Sequence, residues 1–218
     1  MQSGARSAVC FSLVQTKTAK RVILCYRGTT TPLQLDKGDR EYIAAARFLH
    51  LDGHHMAAAI EAARIVHEAG GTVVLDANRP RPGLEDLLPW VHVLITNSLF
   101  PTAYSGESDL ETAVGRLLKG GTRLVVTTLG ARGCLYRSRD ESVRVPGFRV
   151  NALDTTGAGD AFHGAFIYGL MRGWPPHRTA TFANAVAALN CLALGGRPGL
   201  PTLGETEAFL RSEGRAED

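Results

Sequence analysis

No run of five basic residues, no Cys-x-x-Cys pair, no Gly-Lys-Ser/Thr and no membrane-length apolar stretch occurs in this 218-residue chain. Each absence removes a class of function. Lys and Arg number 24 against 21 Asp and Glu, scattered and giving a formal charge of only +3, so nucleic acid is not an expected partner. Lacking Cys-x-x-Cys, the chain reads as neither a zinc ribbon nor a redox dithiol. Its four cysteines, Cys10, Cys25, Cys134 and Cys191, lie far apart in apolar contexts and read as buried small hydrophobes of a reducing compartment. Residues 1–6 have no apolar core of signal-peptide length, so a cytoplasmic protein without a membrane partner is expected. Without Gly-Lys-Ser/Thr there is no Walker-type phosphate loop. Internal repeats and low-complexity tracts are also missing. At 44% hydrophobic residues the chain can bury a core, which suits one domain or one domain with a small appendage.

What is present alternates. Ala8 to Val14 and Arg21 to Tyr26 read as two strands joined by a polar turn. Strands follow at 48–51, 72–75, 91–96 and 123–128, separated by a helix over 56–69, a short helix after Gly83 and a helix over 109–118. Gly70-Gly71 and Gly120-Gly121 close the two longer helices. Residues 134–136 and 142–145 suggest a hairpin. The final third is helical, over 158–172, 177–194 and 205–210, with Gly173-Trp174-Pro175-Pro176 as a break. Such alternation predicts βαβ units, a mainly parallel sheet with helices on both faces, and ligands at the carboxyl ends of the strands.

The chemistry concentrates in Asp154-Thr155-Thr156-Gly157-Ala158-Gly159-Asp160, which runs straight into the apolar helix beginning Ala161-Phe162-His163. Helix N-termini carry unpaired N–H groups and partial positive charge, so a phosphate is a natural ligand there. Gly157 and Gly159 let the backbone close on an oxyanion, and Asp160 sits where it could take a proton from an attacking hydroxyl. The three-residue core alone would be no more than a capped helix start. As a dinucleotide fingerprint the segment fails, since Phe162 stands where the third glycine belongs.

The full string resembles the C-terminal signature of the ribokinase-like (PfkB) carbohydrate kinases, and the resemblance runs from about Ser7 to the C-terminus. It implies a doubly wound α/β fold, with a partial β lid over residues 1–30 and a nucleotide-binding and catalytic domain over 31–218. It implies an ATP- and Mg2+-dependent kinase that phosphorylates a hydroxyl of a sugar or sugar-like alcohol. Asp160 falls on the family's base, and Gly157, Ala158 and Gly159 on its anion hole. Thr128, Gly130 and Gly133 match the second nucleotide segment, although they also fit an ordinary glycine-punctuated loop. Asn184 matches the position beside adenine, but equally suits packing on an Ala-rich helix. Asn97 matches the Asn of the Asn-x-x-Glu motif or a plain strand-end turn residue; its fourth position is Phe100, which puts the usual magnesium arrangement in doubt. Asp154, the Thr156 carbonyl and Gly195 match ligands for a monovalent cation, K+, while Asp154 fits a turn role as well. Gly199 stands where a serine is often found.

The run His50, Asp52, His54, His55 lacks helix-based His-x-x-x-His spacing and is read as non-metal. Asp76 and Arg79 fall on a segment that loosely resembles one facing the cleft, outside the chosen site. The family's N-terminal strand, Gly-Gly and nearby Asn have no counterpart, which leaves the acceptor unspecified. The lid hairpin would then be mobile or recruit a second chain, a homodimer through the lid. Two alternatives stay open: a vitamin-type kinase of the same superfamily, and a non-catalytic nucleotide-binding or interaction protein.

Overall fold

The computed structural model describes residues 4–14 and 21–215, and the chain divides into two units, Met1–Gln34 and Leu35–Asp218. In the first, β1 (Val9–Val14) pairs antiparallel with β2 (Arg21–Tyr26). Val9, Phe11 and Leu13 lie opposite Tyr26, Leu24 and Val22, so period-2 alternation gathers six exposed apolar side chains on one face. The turn expected between the strands lies outside the described residues.

Here the cysteine reading needs correction. Cys10 and Cys25 are exposed and directly opposite, 4.2 Å between Cα atoms, and are joined as a disulfide. Register brings together residues that sequence distance had kept apart. Cys134 and Cys191 are buried and free.

The second unit is a six-stranded sheet in chain order: β3 (Phe48–Leu51), β4 (Thr72–Ala77), β5 (Val93–Asn97), β6 (Leu124–Thr128), β7 (Cys134–Arg137) and β8 (Ser142–Val145). The pairings from β3 to β6 are parallel, and the last two are antiparallel. The buried strands read as near-continuous apolar runs because both faces are covered. Val73, Leu75, Leu94, Val125 and Leu135 point into one core. That core is closed by α2 (Met56–Glu68), α3 (Leu84–Leu87), α4 (Phe100–Ser105) and α5 (Leu110–Arg116). Their neighbours Val74, Val93, Ile95, Val126 and Tyr136 point into the other. There α6 (Ala158–Met171), α7 (Pro176–Asn190) and α8 (Leu203–Ser212) pack.

Two helices escape the sequence reading. One is α1 (Lys37–Ala44), which buries no residue and is set by a capping box between Asp36 and Asp39 rather than by an apolar stripe. The other is α4, short and started by Pro101.

Candidate active site

The turn before α6 is held from two directions. Asp154 accepts the Thr156 N–H on one carboxylate oxygen and the Gly195 N–H on the other, each at 2.9 Å. Asn190, at the end of α7, donates to the Thr156 carbonyl at 3.2 Å. Gly157 is the N-cap, with φ +75°, and a Cβ there would lie 2.8 Å from the Gly196 Cα. Only glycine meets both the left-handed backbone and that close approach. A side chain at 199 would likewise run into the Asn190 carbonyl, so the loop geometry itself requires Gly199 rather than serine.

This scaffold leaves donors open. Ala158 donates to the Thr155 carbonyl at 3.3 Å and Ala161 to that of Gly157 at 2.8 Å. Among the described residues, the N–H groups of Gly157, Gly159 and Asp160 have no acceptor. They sit at the positive end of a 14-residue helix. Asp160 follows in the first turn, exposed, and lines a cleft of about 630 Å3 with Gly164 and Tyr168 of α6, Phe182 of α7 and Arg197.

Behind Asp160 the α6 face of the sheet changes character. Phe48 of β3 and Val74 of β4 belong to the apolar core. Two residues further along the same faces come His50 and Asp76, at the carboxyl ends of their strands. Buried His163 reaches them from α6. Its Nδ1 lies 3.6 Å from an Asp76 carboxylate oxygen, and its ring meets that of His50 edge-on at 5.6 Å. Burial pushes the Asp76 carboxyl up to about 6, and the charge of Asp160 acts in the same sense. Burial drives the His163 imidazole down to about 4, against the pull of Asp160. His50 is lowered by burial and by His163. The sequence reading left Asp76 outside the site and gave His163 no role. The available signal was a polar residue at the end of each apolar run.

Asn97 and Thr128 stand side by side in the register of β5 and β6, and Gly130 and Gly133 follow in the turn to β7. Gly133 has φ +86°, with the Val145 carbonyl only 2.1 Å from where a Cβ would be, so this glycine is dictated by the chain crossing it. The Asn97 Oδ1 accepts the N–H groups of Leu99 and Phe100, and Nδ2 donates to the Asn78 carbonyl. Its amide therefore shapes the β5–α4 turn. Asn184 is buried and donates to the carbonyls of Val145 and Pro146 at 3.3 and 3.4 Å, which fixes α7 to the end of β8. Phe100 is fully buried and stacked on Tyr104. In the His50 to His55 run, Asp52 pairs with its neighbour His54 at 3.1 Å. Among the described residues, no group of three His, Cys, Asp or Glu could hold a metal ion. No helix among them is long and apolar enough to cross a membrane.

The family model of the pfkB family carbohydrate kinases matches residues 1–203, and the chain belongs to that family. It is similar to fructokinase-1 of Zea mays, 29% identical over 231 residues, covering 93% of this chain and 71% of the relative. A ribokinase structure from Thermotoga maritima superposes with a TM-score of 0.81 at 27% identity, covering 97% of this chain and 72% of that one. An E. coli protein assigned as a ribokinase II, solved with ATP and Mg2+, gives 0.78 at 25% identity, covering 92% and 70%. The fold is thus ribokinase-like, and membership places the chain among ATP-using sugar phosphotransferases.

Proposed function

We propose that this protein transfers the γ-phosphoryl group of ATP to a hydroxyl of a sugar or sugar-like small molecule, with Asp160 as the general base. One observation carries the reading. The acceptor-free N–H groups of Gly157, Gly159 and Asp160 share a helix turn with the exposed Asp160 side chain, and Asp160 lines a cleft. In phosphoryl transfer the protein does little covalent chemistry; it positions groups and stabilises charge on the transferring oxygens. Amides fixed by Asp154 and Asn190 need no reorganisation as that charge develops, and one such donor is worth about 3 kcal/mol of transition-state stabilisation. Asp160 orients the acceptor hydroxyl. As the new P–O bond forms and the bond to the β-phosphate oxygen breaks, the hydroxyl proton passes to its carboxylate.

The phosphates of ATP suit this donor set. Magnesium, when bound to those phosphates, supplies charge neutralisation. The end of β5 does not suit a protein-side anchor for it, because Phe100 is sealed in the core where the motif has an acid. No step is assigned to the metal. For potassium, the Asp154 carboxylate and the Thr156 carbonyl are the oxygens that would hold it. They already accept the N–H groups of Thr156 and Gly195 and the Asn190 amide, so the turn is fixed by hydrogen bonds and no step is assigned to the cation.

Asp160→Asn tests the assignment, with phosphorylation of D-fructose and D-ribose as the assay. We expect kcat to fall about 10²- to 10⁴-fold with ATP affinity retained. Equal activity in the two proteins would remove Asp160 from the chemistry. ATP binding without turnover on any sugar by the unmodified protein would favour the non-catalytic alternative.

A further inference from the structure

The kinase reading uses Asp160 and the amides beside it, but leaves unexplained a second carboxylate directly behind them. Asp76 ends β4 on the α6 side, with its side chain 14% exposed, and buried His163 is 3.6 Å away, just beyond hydrogen-bond length. Among the described residues, the Asp76 Oδ1 and the His163 Nδ1 are both buried without a hydrogen-bond partner. Buried polar atoms left unpaired cost stability, and where a fold tolerates two of them side by side a functional reason is expected. Catalytic hydrogen bonds that are long in the unliganded protein often tighten only when substrate binds.

The charged and titratable groups around the pair are few. Asp160 is three residues before His163 on α6, and its charge reaches Asp76, His163 and His50. His50 meets His163 edge-on from β3. Asp52, just beyond β3, is occupied with His54. No arginine or lysine is paired with Asp76 among the described residues. The Asn78 side chain acts on the Asp76 carboxylate as a neutral hydrogen-bond donor, and a partly exposed carboxylate with no cationic partner has capacity for further neutral donors, of which hydroxyls are one kind.

We propose that Asp76, held in orientation by His163, is a second acceptor-recognising group, which accepts a hydrogen bond from a hydroxyl other than the one that Asp160 deprotonates. The inference rests on the kinase reading and narrows its substrate class to acceptors with at least two hydroxyls within reach of this end of the sheet. His163 is a positioning residue: its ring touches Asp76 from the buried side and acts through it.

The test compares Asp76→Asn, His163→Gln and His163→Leu with the unmodified chain, using D-fructose and D-ribose as probes. Loss of a hydrogen bond to a charged group should raise the sugar KM about 10- to 100-fold in Asp76→Asn, with the KM for ATP unchanged. His163→Gln, which keeps a donor, should lose less than His163→Leu. An unchanged sugar KM, or an equal rise in both KM values, would overturn the assignment.

Melting temperature against pH reads the buried setting of the two groups without any turnover. A carboxyl raised to about 6 loses stability as pH climbs from about 4 to 6, whereas an imidazole lowered to about 4 loses it as pH falls from about 6.5 to 4. The two slopes oppose each other in the unmodified chain. Stability should therefore rise with pH across this window in Asp76→Asn and fall in His163→Leu. If both variants track the unmodified chain, the two groups do not share the buried setting described, and the role given to Asp76 falls. If the slopes appear but no sugar is phosphorylated, the proposed function fails and the role given to Asp76 fails with it, while the burial of both groups stands.

Discussion

The turn at 157–160 and the asparagines at 97 and 184 all match phosphate- or nucleotide-handling positions of the family, yet the fold treats them differently. At the turn, side chains from Asp154 and Asn190 take up the surrounding backbone groups and leave three N–H groups open. At Asn97 and Asn184 the side-chain amides are themselves engaged, the first by the β5–α4 turn and the second by the carbonyls at the end of β8. A motif whose chemistry lies in the backbone keeps its function wherever the glycines force the same path. A motif whose chemistry lies in a side chain depends on where that side chain turns.

Substitutions can break this contrast. The largest effect is expected from Gly157→Ala. With φ +75° and the Gly196 Cα 2.8 Å from the new carbon, the turn must open. Loss of a positioned donor should lower kcat about 10²- to 10³-fold. The strain adds about 1–3 kcal/mol of destabilisation, readable as a lower melting temperature. Asn184→Ala should show the reverse balance. Losing the buried donor to the Val145 carbonyl, while Arg215 still donates to that of Pro146, costs about 1–3 kcal/mol, a fall of several degrees in melting temperature, while nucleotide affinity changes little. An Asn184→Ala protein with unchanged stability and lost nucleotide binding would reverse the reading of that residue.

Much of the architecture was legible in the residues. The apolar runs over Val73-Val74-Leu75 and Leu124-Val125-Val126 need cover on both faces, and their alternation with glycine-closed helices leaves a parallel sheet as the natural solution. The helix start at Gly157 was legible for the same kind of reason, since few residues tolerate a left-handed N-cap. What could not be seen depended on partners distant in sequence. α1 has no apolar stripe to betray it, only a local capping box. Cys10 meets Cys25 through a strand register, not a spacing motif. Asp76 and His163 come together only because α6 lies across the end of β4, and neither residue signals this alone.

Phosphoryl transfer at this turn requires the backbone amides of Gly157, Gly159 and Asp160 to receive the phosphates of ATP. The most direct measurement follows the 15N–1H resonances of these three amides as ATP is added, alongside the side-chain amides of Asn97 and Asn184. Large, saturable shifts of the three backbone signals with one common affinity are expected, with smaller shifts at the two asparagines. Backbone signals that stay in place while ATP binds elsewhere on the chain would contradict it.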